Sequence, residues 1–287
     1  MPIINQIVKG SMGLYREFQL DNTGKLVPNK TTTRIMDFTG VTDVSDYALT
    51  RAYSQNTAIS GAVDMSDLTT LSGNSACNYM FSYCKGLTSI DLSSLTTISG
   101  TSACAAMFYS CTRLMSIDLS SLTTISSGLS VCANMFQGCT SLTSANLPAL
   151  TTISGSSVCQ NMFYGCTELT SVDLSALTTI SGTSACQTMF QGCTSLTSAN
   201  LPALTTISGS STCQTMFSHC TSLTTVYIGG TTAINFGTQT NQFKNMFQGC
   251  TQNIDVYAPA ANQAQIEAFS GYPNFGGTGT VTWHWRS

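Results

Sequence analysis

The stretch LTSANLPALTTISGSSTCQTMFSHC, residues 196–220, changes its apolar spacing twice within one unit. In LTSANL the apolar residues alternate, as in a short strand whose side chains face opposite sides. Ala199 and Leu201 point inward, and Ser198 and Asn200 point outward. Pro202 lacks an N–H and helps to end the strand. LTTI (204–207) supplies a second inward pair, Leu204 and Ile207. SGSS then reads as a turn, with Ser211 placed as the N-cap of a short helix. In the equivalent segment one unit earlier, Cys186, Met189, Phe190 and Cys193 sit at i, i+3, i+4 and i+7. That spacing puts all four on one helical face, toward a core. Gly192, sixth after Cys186, suits a left-handed helix end.

The unit repeats. Met-Phe pairs begin at Met80, Met107, Met135, Met162, Met189, Met216 and Met246, in steps of 27, 28, 27, 27, 27 and 30 residues. The extra residue of the second step lies in SSGLS (126–130), and the last step is lengthened in 229–242. Strand positions recur from Met36, Val63, Ile90, Ile117, Ala145, Val172, Ala199, Val226 and Val256. Stacked units of this size predict a solenoid, since each one buries its apolar face only against its neighbours. Three segments result: an N-terminal module (1–35), the repeats (36–258) and a C-terminal cap (259–287). YREFQLDNTGKLVPN (15–29) reads as a hairpin around Asp-Asn-Thr-Gly. AANQAQIEAFSG (260–271) reads as a lid helix through Ile266 and Phe269, and VTWHW (281–285) as a final strand.

Thirteen cysteines punctuate the repeats: Cys77, Cys84, Cys104, Cys111, Cys132, Cys139, Cys159, Cys166, Cys186, Cys193, Cys213, Cys220 and Cys250. A bridge within one pair fails on distance, because seven helical residues rise about 10.5 Å and bridged Cα atoms lie within about 7 Å. Zinc fails on spacing: finger-type sites place two to four residues between ligands, and here six intervene without a histidine. Cross-repeat disulfides stay open on geometry, although an odd number leaves one thiol over. At the ends, Phe243 and Leu49 stand where a first cysteine is expected. An apolar residue replaces a small buried hydrophobe but not a ligand. The expectation is therefore reduced core cysteines, which implies folding in a reducing compartment.

Charge narrows the function. Only 8% of residues are charged, against roughly 25% in an average domain. Residues 1–35 carry five basic and two acidic side chains, and the remainder five and eleven. Such sparse cations argue against nucleic-acid binding, which needs a basic stripe. No stretch approaches the roughly 20 apolar residues of a membrane span, and MPIINQIVKGSMG offers no signal-peptide core. His219 and His284 have no base–orienter pair beside them, and no phosphate-cradling glycine loop appears. No catalytic residue, metal or cofactor is expected.

The outward strand positions form the candidate binding face. One column runs Asp64, Asp91, Asp118, Asn146, Asp173, Asn200, Tyr227, and beside it run Ser89, Ser116, Ser144, Ser171, Ser198 and Thr225. In-register parallel strands would set neighbours about 4.8 Å apart. A calcium- or glycan-binding surface and a plain solvated face are both compatible with this chemistry. Residues 135–157 and 189–211 are identical. Identical units favour a spacer, or many weak equivalent contacts acting through avidity.

Units such as MFQGCTSLTSANLPALTTISG resemble BspA-like leucine-rich repeats, with their Phe-x-x-Cys-x-x-Leu string and following strand. The resemblance covers 36–258 and is most specific over 76–228. It implies an α/β solenoid: a right-handed coil with a parallel sheet on one face and short helices on the other. It also implies a surface or virion protein that binds or adheres. The opening segment followed by such repeats resembles phage or prophage structural proteins. That reading makes this a virion-associated chain, docked on other virion proteins through 1–35 and touching a host surface protein or glycan through the solenoid. A bacterial cell-surface adhesin is the alternative.

Overall fold

The computed structural model describes residues 18–20, 26–28, 38–44, 46 and 48–287. They form a parallel β-solenoid of about nine turns. Each full turn has three hydrogen-bonded sides. The first sheet takes the S-x-[DN] segments and their equivalents at both ends, strands Ser60–Asp64, Gly86–Asp91, Ser116–Asp118, Ser144–Asn146, Ser171–Asp173, Ser198–Leu201, Thr225–Ile228, Ile254–Pro259 and Val281–Arg286. It runs in two parallel stretches that meet between Ser116–Asp118 and Ser144–Asn146. The extra residue of SSGLS falls between those strands and leaves Leu129 54% exposed at the corner. The second sheet is built from Asp43–Val44 and six T-[IL] pairs, seven parallel strands ending at Thr206–Ser208. The inward pair Leu204 and Ile207 belongs to this second sheet and its preceding turn, not to an extension of the first.

The third side corrects the helix expectation. The Cys-x-x-Met-Phe-x-x-Cys segments are ribbons of turns. In residues 75–84, N–H groups alternate between two acceptors. Met80 N donates to Cys77 O three residues back, whereas Phe81 N donates to Met107 O in the next repeat, at 3.1 and 2.8 Å. Every fourth residue has positive φ: Ser75, Tyr79 and Tyr83 here, and Ser184, Thr188 and Gly192 four repeats further on. An α-helix contains no such residue. Ser211 is one of these left-handed positions, with φ 58°, and not a helix N-cap. Among the described residues the α-helix is confined to Gln263–Glu267, preceded by the 3-10 turn Ala260–Asn262. A four-residue period still turns Cys, Met, Phe and Cys to one side, so the expected inward quartet is buried as the sequence suggests.

The core is a set of columns. Tyr53, Phe81, Phe108, Phe136, Phe163, Phe190, Phe217 and Phe247 stack one per turn, with centroids 5.2–6.3 Å apart. Such pairs add about 0.5–1.5 kcal/mol each beyond their area. At the corner after the second sheet the backbones approach closely. Gly182 has φ +109°, and a Cβ there would lie 2.4 Å from Gly155 O. All thirteen cysteines are free and buried. Burial pushes their thiols up, to about 12 at Cys84, Cys166 and Cys213 and about 11 at Cys250.

The two ends differ. Phe18–Leu20 pairs antiparallel with Leu26–Pro28, as the hairpin reading requires. The Asp-Asn-Thr-Gly turn, the strand expected at Met36 and most of 1–35 lie outside the described residues. At the other end Ile266 and Phe269 are buried, and Phe236, Phe243, Phe269 and Phe275 meet edge to face. Phe243 thus fills the first-cysteine position with part of an aromatic plug.

Candidate binding face

The first sheet sets the outward residues in register. Asp64 pairs with Asp91, and Asp91 with Asp118. After the break the column resumes as Asn146, Asp173, Asn200 and Tyr227. The neighbouring column aligns Ser89 with Ser116, Ser144 with Ser171, and Ser198 with Thr225. Across the first four strands the face forms an open groove of about 700 Å³. Asp64, Asp91, Asp118, Ser89 and Ser116 line it, and Asn146 and Pro148 close one side.

Each aspartate also has a local task. Asp64 Oδ1 accepts the N–H of Ser66, Asp91 Oδ1 that of Ser93, Asp118 Oδ1 that of Ser120, and Asp173 Oδ1 that of Ser175, all at 2.9–3.0 Å. This is an Asx turn that closes the bend after the strand. Where the column carries Asn146 and Asn200, the residue two positions on is Pro148 or Pro202. Proline has no N–H to give, so those repeats have no need of a carboxylate. The carboxylates stand in a line and do not converge: among the described residues no group of three or more His, Cys, Asp or Glu is placed to hold a metal ion.

A family model described as BspA type Leucine rich repeat region matches residues 66–130, 107–246 and 186–274, in six copies. The chain belongs to this family. No curated protein and no solved structure matches it. Membership in the BspA-type leucine-rich repeats makes the chain a binding or structural repeat protein. No described helix is long and apolar enough to cross a membrane.

Beyond Tyr227 the BspA-type column continues into residues that the sequence reading did not join to it. Tyr227 stacks on Tyr257, and Tyr257 on His284, each pair with centroids 4.6 Å apart. His284 Nε2 lies 2.8 Å from Asp255 Oδ1. The Arg286 guanidinium sits 5.7 Å from the Tyr227 ring centre, and its Nη1 donates to Gly229 O at 3.3 Å. The available signal was the shared V-Y of 226–227 and 256–257, which fixes their register. His219 is exposed in a left-handed ribbon position, with Nδ1 2.8 Å from Ser218 Oγ. Its ring covers Gly249, where a Cβ would come within 2.7 Å of Cδ2. Neither histidine is coupled to a nucleophile and an orienting acid together.

Proposed function

We propose that the chain is a non-enzymatic binding protein carried on a virion. It presents the groove around Asp64, Asp91 and Asp118 to a host surface protein or glycan, while residues 1–35 dock on other virion proteins. The observation that carries this reading is the groove itself: in-register carboxylates and hydroxyls on a wide, solvated sheet face. Carboxylates and serines of this kind are acceptors and donors for sugar hydroxyls or peptide amides. The near-identical later repeats add weak equivalent contacts that gain from avidity. Thirteen buried, unbridged thiols suit folding in the reducing cytoplasm where virions assemble. The family match supports a second reading equally well, a bacterial cell-surface adhesin using the same face.

Binding of the labelled chain to a glycan array and to intact bacterial cells tests the face. Ser116→Arg fills the groove from an exposed position and is expected to lower binding at least tenfold. Thr124→Arg, on the second sheet, leaves it unchanged. Equal loss from both substitutions, or loss from neither, rejects the groove. Mass spectrometry of purified particles, set against surface labelling of intact cells, separates the two settings.

A further inference from the structure

The three hydrogen-bonded sides of the solenoid end differently at the C-terminus. The second sheet is closed: Ile207 N donates to Asn235 O at 2.9 Å. Beyond it the Asn262 side chain takes both main-chain groups of Ile234, at 2.6 and 2.8 Å, in place of another strand. The turn ribbon is closed too, with Phe247 N donating to Phe275 O and Thr278 N to Cys250 O. The first sheet ends instead in the six-residue strand Val281–Arg286, which among the described residues is paired on one side only.

Ile254 N donates to Thr280 O. In a parallel ladder alternate residues serve opposite sides, so Thr282, His284 and Arg286 face Ile254–Pro259. Val281, Trp283 and Trp285 turn their main-chain groups outward. Val281 N reaches Asn274 Oδ1 at 3.4 Å. Among the described residues no strand pairs with Trp283 or Trp285 on that side. The two indoles are half-buried on the core-facing side, stacked 5.6 Å apart. The usual guards of a free edge are lysine, proline, a bulge or a cover, and this strand has neither lysine nor proline.

We infer that a second copy of this chain docks here, antiparallel and edge to edge, about a twofold axis through His284. The occupant is named by the strand's own order. Trp-His-Trp reads the same in both directions about His284, which is what an antiparallel self-pairing requires. With that centre Trp283 lies opposite Trp285 of the other copy, twice. The outward main-chain groups then exchange four hydrogen bonds, and four indoles meet on the core-facing side. On the outer side the two His284 rings face each other, each keeping its own Asp255 carboxylate at 2.8 Å. The interface is isologous and closes at two copies. It joins two binding faces into one continuous sheet.

Sedimentation velocity of the full chain is expected to show a dimer fraction that grows with concentration. Trp285→Pro removes an N–H aimed at the free edge and not used toward Ile254–Pro259, and is expected to give monomer. Oxidative crosslinking tests the register independently of how that variant folds. The native thiols are buried, so His284→Cys introduces one accessible thiol that meets its twin across the axis. Thr282→Cys places the twins roughly 13 Å apart. At least tenfold more crosslinked dimer is expected from position 284 than from 282, with the unmodified chain giving none. A monomer at every concentration, or equal crosslinking from the two positions, overturns the inference.

Discussion

The two cysteine columns of the turn ribbon share residue type, burial and repeat spacing, yet they do different work. The second cysteine of each pair donates its thiol to the carbonyl of the aromatic one turn back. Cys166 Sγ reaches Phe136 O at 3.2 Å and Cys193 Sγ reaches Phe163 O at 3.1 Å, and so on from Cys84 to Cys250. The first cysteines face one another, as Cys104 faces Cys132. The ends of the columns register the difference. The first column ends in Leu49 and Phe243, both apolar and buried. The second begins at Asn56, a buried polar residue whose N–H takes Tyr53 O as Cys84 N takes Phe81 O. One column needs volume, whereas the other needs volume and a donor.

Raising the pH acts on both columns at once and has the largest expected effect. Burial raises the thiols of the folded chain, while an unfolded cysteine titrates near about 8.5. Above that pH the unfolded chain binds fewer protons than the folded one, so stability falls as pH rises. The loss continues until the folded thiols themselves ionise, at about 11 for Cys250 and about 12 for Cys84. Each thiol contributes about 1.4 kcal/mol per pH unit in that window. Thirteen acting together predict cooperative unfolding soon above pH 9, readable by circular dichroism. A chain stable to pH 11 would mean that the thiols are not buried.

Serine substitution separates the columns. Cys159→Ser buries a hydroxyl with no carbonyl in reach and is expected to cost about 1–3 kcal/mol. Cys166→Ser keeps a donor for Phe136 O and is expected to cost less than about 1 kcal/mol. Urea titration of the two variants reads the gap, and the reverse order would break the comparison. The smallest effect tests the same logic on the outer face. Asp118→Ala loses the bond to Ser120 N and about 0.5–1 kcal/mol. Asn146→Ala, ahead of Pro148, is expected to change stability by almost nothing. Equal losses would deny the aspartates their local task.

The repeat length, the inward residues and the columns were all legible in the sequence, because a 27-residue register fixes which positions meet. The ribbon was not. Over eight residues, i, i+3, i+4 and i+7 fit a 3.6-residue helix and a four-residue turn period alike. The distinguishing sign is the left-handed residue at every fourth place. Glycine marks it at 138, 165, 192 and 249, but Ser, Asn, Thr and Tyr fill most of the others, and only the asparagines among them favour that conformation. The outer columns were legible as far as Tyr227. Asp255 and His284 lie past the lengthened loop 229–242, which breaks the simple count.

The Asp-x-Ser and Asn-x-Pro repeats bear on how this surface can diversify. Replacing an aspartate strands an amide in the bend behind it, unless that amide has already been lost. A proline arriving two places downstream therefore releases the position above it, and its charge becomes free to vary. The electrostatic pattern offered to a partner is in this way licensed, repeat by repeat, by the imino ring beneath it.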